Sequence, residues 1–171
     1  MTHLLVLLTL VLAQLVTKEA VPGVTNFARL ETTVACGGTI KPEAMAELKQ
    51  RGFRSVFNLQ RREEPTANVD AEAAAAKAAG LAYIHVPFTP SAPDTASIDT
   101  FLEEIKKPAN EPAFIHCGGG NRAAGFWLIK RVLVDGWDVD RATKEAEALG
   151  LQPSPDAPMK KFALDYVNKK K

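Results

Sequence analysis

Ten residues, Ala113 to Arg122, read A-F-I-H-C-G-G-G-N-R and fix a strand, a turn and a helix start at one place in the chain. Ala113, Phe114 and Ile115 read as a buried strand, the three glycines as a turn, and Ala123 as the start of an apolar helix. Units of this strand–turn–helix kind enclose a parallel sheet between helices. The turn also carries chemistry. A cysteine at a helix N-terminus meets orphan N–H groups and the positive end of the macrodipole, which stabilise a thiolate. Glycines such as Gly118, Gly119 and Gly120 permit positive φ, so successive N–H groups of the turn can curl into an anion-binding nest. Arg122 adds a planar, permanently charged fork suited to an oxyanion. The segment describes a nucleophile, Cys117, at the floor of a small anion cradle.

The upstream sequence repeats the alternation. Leu30 to Ala35 reads as a short strand ended by Gly37-Gly38. Pro42 then opens a helix with Met45 and Leu48 on its apolar side, and Gly52 stops it. Arg54 to Leu59 is a strand, Val69 to Ala79 an alanine-rich helix closed by Gly80, and Leu81 to Val86 a further strand. A proline-studded loop, Pro87 to Pro93, precedes a helix over Ser97 to Lys106. Downstream of the cysteine turn only helices follow. The first ends near Asp135, the second covers Asp140 to Leu149, and the last carries Met159, Phe162, Tyr166 and Val167 at helical spacing. The expected fold is α/β, a mainly parallel central sheet flanked by helices. In such sheets ligands bind at the carboxyl ends of strands, where Cys117 falls.

With 171 residues, 46% of them hydrophobic and 24% charged, the chain is long enough for one globular domain, placed at residues 26–171. A net charge of +1, with no basic or aromatic stripe, gives no case for nucleic acid. Residues 1–20 read as a leader: the apolar run Leu4 to Ala13 is too short for a span of about 20 residues and fits a signal peptide cleaved after Ala13. An exported protein, periplasmic or secreted, is expected, with membrane contact only through an uncleaved leader. The two cysteines, Cys36 and Cys117, are too few for a disulfide framework. Pairing with each other would block chemistry at Cys117; a small buried residue is the preferred reading of Cys36.

Other assignments fit less well. Gly118 to Ala123 matches G-x-G-x-x-A, but a dinucleotide fingerprint needs a following strand with an acidic residue, and only helices follow. His85, His116, Cys36 and Cys117 lack zinc-type spacing, so no metal site is expected. His85 reads as an ordinary strand residue near the sheet end. Glu63 and Glu64 read as a solvated charge cluster in a strand-end loop, with pairing of one of them to Arg122 as the alternative.

On these residues the chain resembles the cysteine-based phosphatase superfamily, the tyrosine and dual-specificity enzymes. More closely, it resembles the bacterial phosphatase-like domain found alone or beside metallo-β-lactamase-type hydrolases. The supporting stretches are Gly38 to Met45, Gly52 to Leu59, Gly80 to Pro87 and Phe114 to Cys117, and the similarity covers about Asn26 to Leu151. The resemblance implies a dual-specificity-phosphatase-like fold and hydrolysis of a phosphate monoester, on a small molecule or a protein, through a phosphocysteine at Cys117. It implies that Arg122 and the loop N–H groups, Asn121 included, bind the phosphoryl oxygens and that His116 holds the loop. No cofactor is implied. Four residues separate Cys117 from Arg122, one fewer than in most of that superfamily. Rhodanese-type sulfurtransferases share the shorter loop and the G-N-R ending, which implies sulfur transfer through a Cys117 persulfide as the alternative. A catalytically silent anion- or phosphoprotein-binding domain is a third possibility. The superfamily's general acid comes from an earlier loop, where Asp94 is the candidate, with Asp99 behind it. Asp94 reads equally well as a helix cap.

Overall fold

The computed structural model describes residues 15–170. Six strands form one sheet: β1 (Val16–Lys18), β2 (Ala28–Leu30), β3 (Val34–Gly37), β4 (Ser55–Asn58), β5 (Ala82–His85) and β6 (Ala113–His116). Their order is β1-β2-β3-β6-β4-β5. The four strands β3, β6, β4 and β5 run parallel, and β1 and β2 add an antiparallel edge. Helices α1 (Ala44–Gln50), α2 (Val69–Ala78), α3 (Thr95–Ile105), α4 (Asn121–Leu133), α5 (Val139–Leu149) and α6 (Pro158–Lys170) cover both faces. The expected mainly parallel α/β architecture is the observed one.

Strand β6 is central and shows the period-2 logic of a sheet buried on both sides. Ala113, Ile115 and Cys117 point into a core shared with α3 to α6, including Phe57, Phe101, Phe126 and Trp127. Phe114 points the other way, into a core with Phe27, Phe53, Val56 and Leu81. Helix α4, which starts at the end of the cysteine turn, is buried without interruption from Ala123 to Ile129, so it lies against the sheet as a central helix. The α4–α5 corner is closed by Arg131 and Trp127, which donate to Glu145 at 2.7 and 2.6 Å.

Two stretches differ from the sequence expectation. Leu30 to Ala35 is not one strand but the turn of a hairpin. Leu30 ends β2, Glu31 adopts φ 44°, and Val34 begins β3 opposite Leu30. The polar Glu31-Thr32-Thr33 between apolar ends is the signal that the period reading passed over. The described fold also begins upstream of residue 26. Val16–Lys18, counted above with the leader region 1–20, pairs with β2 as an edge strand. The leader run and its cleavage point after Ala13 lie outside the described residues. Among the described residues, no helix is long and apolar enough to cross a membrane.

Helix α6 packs closely on α4 because Gly125 has no side chain: a Cβ there would lie 2.5 Å from Met159 Cε and 2.7 Å from its Cγ. Gly125→Ala is therefore expected to lower stability by about 1–3 kcal/mol, as overpacking of a filled core does. Thermal melting checks this; an unchanged or raised Tm would show that Met159 moves aside freely.

Candidate active site

Where β6 ends, backbone geometry builds the cradle. Cys117 N donates to Gly37 O at 3.3 Å, and Gly120 N–H turns back to the Cys117 Sγ at 3.1 Å. Gly120 caps α4 with φ 98°, a left-handed conformation that favours glycine. Of the three glycines only Gly120 takes positive φ. A Cβ on Gly119 would meet nothing within 4 Å, so that residue borders open space. On the far side Gly38 approaches closely: Thr39 N donates to Gly118 O at 3.2 Å, and a Cβ on Gly38 would collide with Thr25 Oγ1 and lie 3.0 Å from Gly118 O.

Arg122 is anchored through one edge. Its Nη1 donates to Leu59 O (3.1 Å), Phe88 O (2.8 Å) and Glu64 Oε1 (2.6 Å), and its Nη2 to Glu64 Oε2 (2.6 Å). A guanidinium has five N–H groups, so Nε–H and one Nη2–H are left for an anion. A Cβ on Gly118 would lie 3.6 Å from Arg122 Nη2, so the guanidinium stands against the loop that follows Cys117. Burial opposes the arginine's charge, and Glu64 and Cys117 outweigh that effect, raising its pKa. Burial likewise pushes the Glu64 carboxyl up, but hydrogen bonds from Arg122 and the Arg61 backbone bring it below its usual range. Glu64 is thus the pairing partner left open above, and Glu63 remains exposed, 3.0 Å from Arg61.

Beneath the loop lies a polar group that sequence reading missed. Glu72, fully buried on α2, accepts from Asn58 Nδ2 (2.7 Å) and Tyr83 Oη (2.8 Å), and its Oε2 stands 3.4 Å from His116 Nε2. Burial pushes the Glu72 carboxyl up, and His116, Tyr83 and Asn58 more than compensate, leaving its pKa lowered. Burial, with the Glu72 charge, drives the Tyr83 hydroxyl well above its ordinary range. His116, expected among the substrate-binding residues, does not line the cradle: its ring is fully buried and stacks on Phe114 at 5.7 Å. It can hold the loop only from below. The signal for Glu72 was available: Val69, Glu72 and Ala76 form one buried stripe at i, i+3, i+7, and the carboxylate sits inside it.

The remaining site residues divide between cradle and scaffold. Asn121 Oδ1 accepts from Gln152 N at 2.9 Å and ties the link after α5 to the loop. Asp94 caps α3, its Oδ1 accepting from Ala96 N at 2.9 Å. It also lines a cavity of about 520 Å³ with Arg61, His85 and Phe88, and Phe88 is the residue whose carbonyl holds Arg122. Asp99 instead stands 3.5 Å from Tyr166 Oη. His85 Nε2 lies 2.8 Å from Gln60 O. Cys36 and Cys117 are both free and buried, and burial, then the charges of Cys117 and Glu145, push the Cys36 thiol far up, keeping it protonated.

A thiol that accepts from the Gly120 N–H, with a Glu64-held arginine against its loop at the carboxyl end of a parallel sheet, is an arrangement that fits the cysteine-phosphatase class of α/β folds. Comparison with known proteins supports that class. Over 86% of the chain the structure matches 92% of a DUF442 protein from Shewanella putrefaciens CN-32, with TM-score 0.70 and 20% identity. It matches P. aeruginosa TpbA in complex with phosphotyrosine (TM-score 0.62, 21% identity, 88% and 87% of the two chains). It also matches the core catalytic domain of the PP-IP phosphatase SIW14 from S. cerevisiae (TM-score 0.65, 21% identity, 88% and 91%). Residues 26–134 match the family described as the phosphatase-like domain of beta-lactamase hydrolase-like protein, and the chain belongs to that family. Beta-lactamase hydrolase-like protein of Xylella fastidiosa is 34% identical over 119 residues, 68% of this chain. The chain spans about a quarter of that relative's length.

Glu64 and Glu72 both hold their protons less tightly folded than is usual for a carboxyl. Each therefore adds stability that is complete above the ordinary range near pH 4.3 and is lost as pH falls through the lower folded value. Between about pH 6 and pH 3, urea unfolding is expected to show a smaller acid loss for Glu72→Gln than for wild type. Equal losses would contradict an ionised Glu72.

Proposed function

We propose that the chain hydrolyses phosphate monoesters through a phosphocysteine at Cys117. The observation that carries this is convergence: Gly120 N–H lies 3.1 Å from Sγ, and Arg122, fixed by Glu64, lies with its Nη2 against Gly118 of the same loop. The thiolate attacks phosphorus as the P–O bond to the leaving group breaks, and that oxygen takes the electron pair. Arg122 Nε–H and Nη2–H, with the loop N–H groups, stabilise the charge on the three non-bridging oxygens. Asp94 Oδ2 is the candidate to protonate the leaving oxygen and afterwards to take a proton from the attacking water. Water then cleaves the S–P bond, releasing phosphate and restoring the thiolate. Substrates are phosphorylated small molecules or proteins. The phosphotyrosine bound to TpbA and the PP-IP phosphatase activity named for SIW14 are consistent with this class.

With an aryl phosphate, the wild-type chain is expected to release phenol and inorganic phosphate, while Cys117→Ser releases none and Arg122→Ala loses about 10²-fold or more. Thiocyanate formed from thiosulfate and cyanide, with no phenol from the ester, would establish the sulfurtransferase alternative instead. Phosphate binding without either product would leave a binding domain. Asp94→Asn keeps the helix cap, since asparagine caps as well as aspartate. It is expected to slow phenyl phosphate by about 10²-fold and nitrophenyl phosphate, with its better leaving group, far less. Equal slowing of both esters would remove Asp94 from the proton transfer.

A further inference from the structure

The cradle depends on which way two peptide groups face, and the contacts that decide this come from outside the loop. A peptide plane sets its C=O and N–H in opposite directions, so holding a carbonyl outward holds the next N–H inward. Gly118 O is held by Thr39 N–H at 3.2 Å. Gly119 O is held by a side chain, Asn26 Nδ2–H, also at 3.2 Å, across a sequence separation of 93 residues. The amide that follows Gly119 O is Gly120 N–H, the group that points at Cys117 Sγ from 3.1 Å.

Asn26 is built for this contact. It takes φ 51°, one of two non-glycine residues among those described with positive φ. Asparagine tolerates that conformation better than most side chains do. The preceding residue is fastened on both sides, Thr25 N to Thr39 O at 3.0 Å and Gly38 N to Thr25 O at 2.7 Å. The backbone next to Asn26 is thereby fixed to the segment that bounds the loop. Asn26 is itself exposed, so its amide adds little to the core.

We infer that Asn26 is a positioning residue: its side-chain amide locks the Gly119–Gly120 peptide so that Gly120 N–H faces the sulfur and the bound anion. Without that donor the peptide is free to rotate, and the sulfur and the anion lose one of their N–H partners. The inference rests on the proposed reaction for its purpose, but its test does not need turnover.

Two variants of the full 171-residue chain remove the donor differently. Asn26→Gly keeps the backbone conformation, and Asn26→Asp keeps the shape while exchanging a donor for an acceptor. Glu31→Gly is the control, since it relieves the other positive φ at the opposite end of β3. The readouts are the pH profile of Cys117 alkylation by iodoacetamide and the dissociation constant for inorganic phosphate. Alkylation is read on the Cys117 peptide by mass spectrometry, so reaction at Cys36 does not enter the midpoint. In both Asn26 variants the alkylation midpoint is expected to move to higher pH and phosphate binding to weaken about tenfold, the size of one lost hydrogen bond to a charged group. Melting temperatures and the Glu31→Gly profile should stay near wild type. Alkylation and phosphate binding unchanged in Asn26→Gly would overturn the inference, as would an effect in Asn26→Asp alone, which charge repulsion explains. If wild type turns over no phosphate ester yet both variants shift the alkylation midpoint, the proposed reaction fails and the role of Asn26 stands.

Discussion

The double-sided pairing of β6 is the constraint on which the rest of the molecule depends. Every residue from Ala113 to His116 is matched to a parallel neighbour on β3 and on β4. The point where the chain leaves the sheet is therefore fixed from both sides, and Cys117 is the first residue beyond it. Burial reinforces the hydrogen bonds: Phe114 and Ile115 fill opposite cores, so a slip of one residue would exchange their faces. Helix α4 then starts within one turn of the sulfur and is buried along most of its length, which prevents the loop from relaxing away from the sheet.

Around that fixed point the charges are arranged so that each is partly spent and partly kept. Arg122 gives two N–H groups to Glu64 and shares its remaining Nη1–H between main-chain oxygens, which neutralises and orients it, while one edge stays unengaged by these partners. Truncating Glu64 would leave a half-buried cation without its partner, a costlier change than the loss of one surface ion pair. Glu72 sits on the other face of the sheet, buried beside His116, with two hydrogen-bond donors holding it as a carboxylate. Charge that would be unaffordable in an apolar core is tolerated here because the network supplies donors to it.

Much of this was legible in the order of residues. The cysteine turn and the glycine stops at Gly52, Gly80 and Gly150 are local signals, and the helix starts expected at Pro42 and Ala123 fall within two residues of the observed Ala44 and Asn121. Asp94 was readable as a cap near the helix expected from Ser97, and it does cap α3, which begins two residues earlier at Thr95. The hairpin at Glu31 was misread because two short strands separated by only three polar residues, Glu31 to Thr33, look like one strand. The role of Asn26, and the partner of Glu72 (though not its place in the buried stripe of α2), were beyond reach for a different reason. Their significance lies in partners 93 and 44 positions away, Gly119 and His116, and no spacing rule within one element relates them. Gly37 and Gly38 were read as a strand end. In the folded chain they also form the wall that approaches the loop, a role visible only once β3 and β6 lie side by side.

The proposal at the centre is that the Cys117 sulfur attacks phosphorus inside the cradle. The most direct measurement is acid quenching of the full chain during turnover of an aryl phosphate, followed by peptide mass spectrometry. A phosphoryl group on the Cys117 peptide, present in wild type and absent in Cys117→Ser, is the predicted result. Ester turnover with the phosphoryl group on another residue, or with no covalent adduct while the ester is consumed at the same rate by Cys117→Ser, would contradict it.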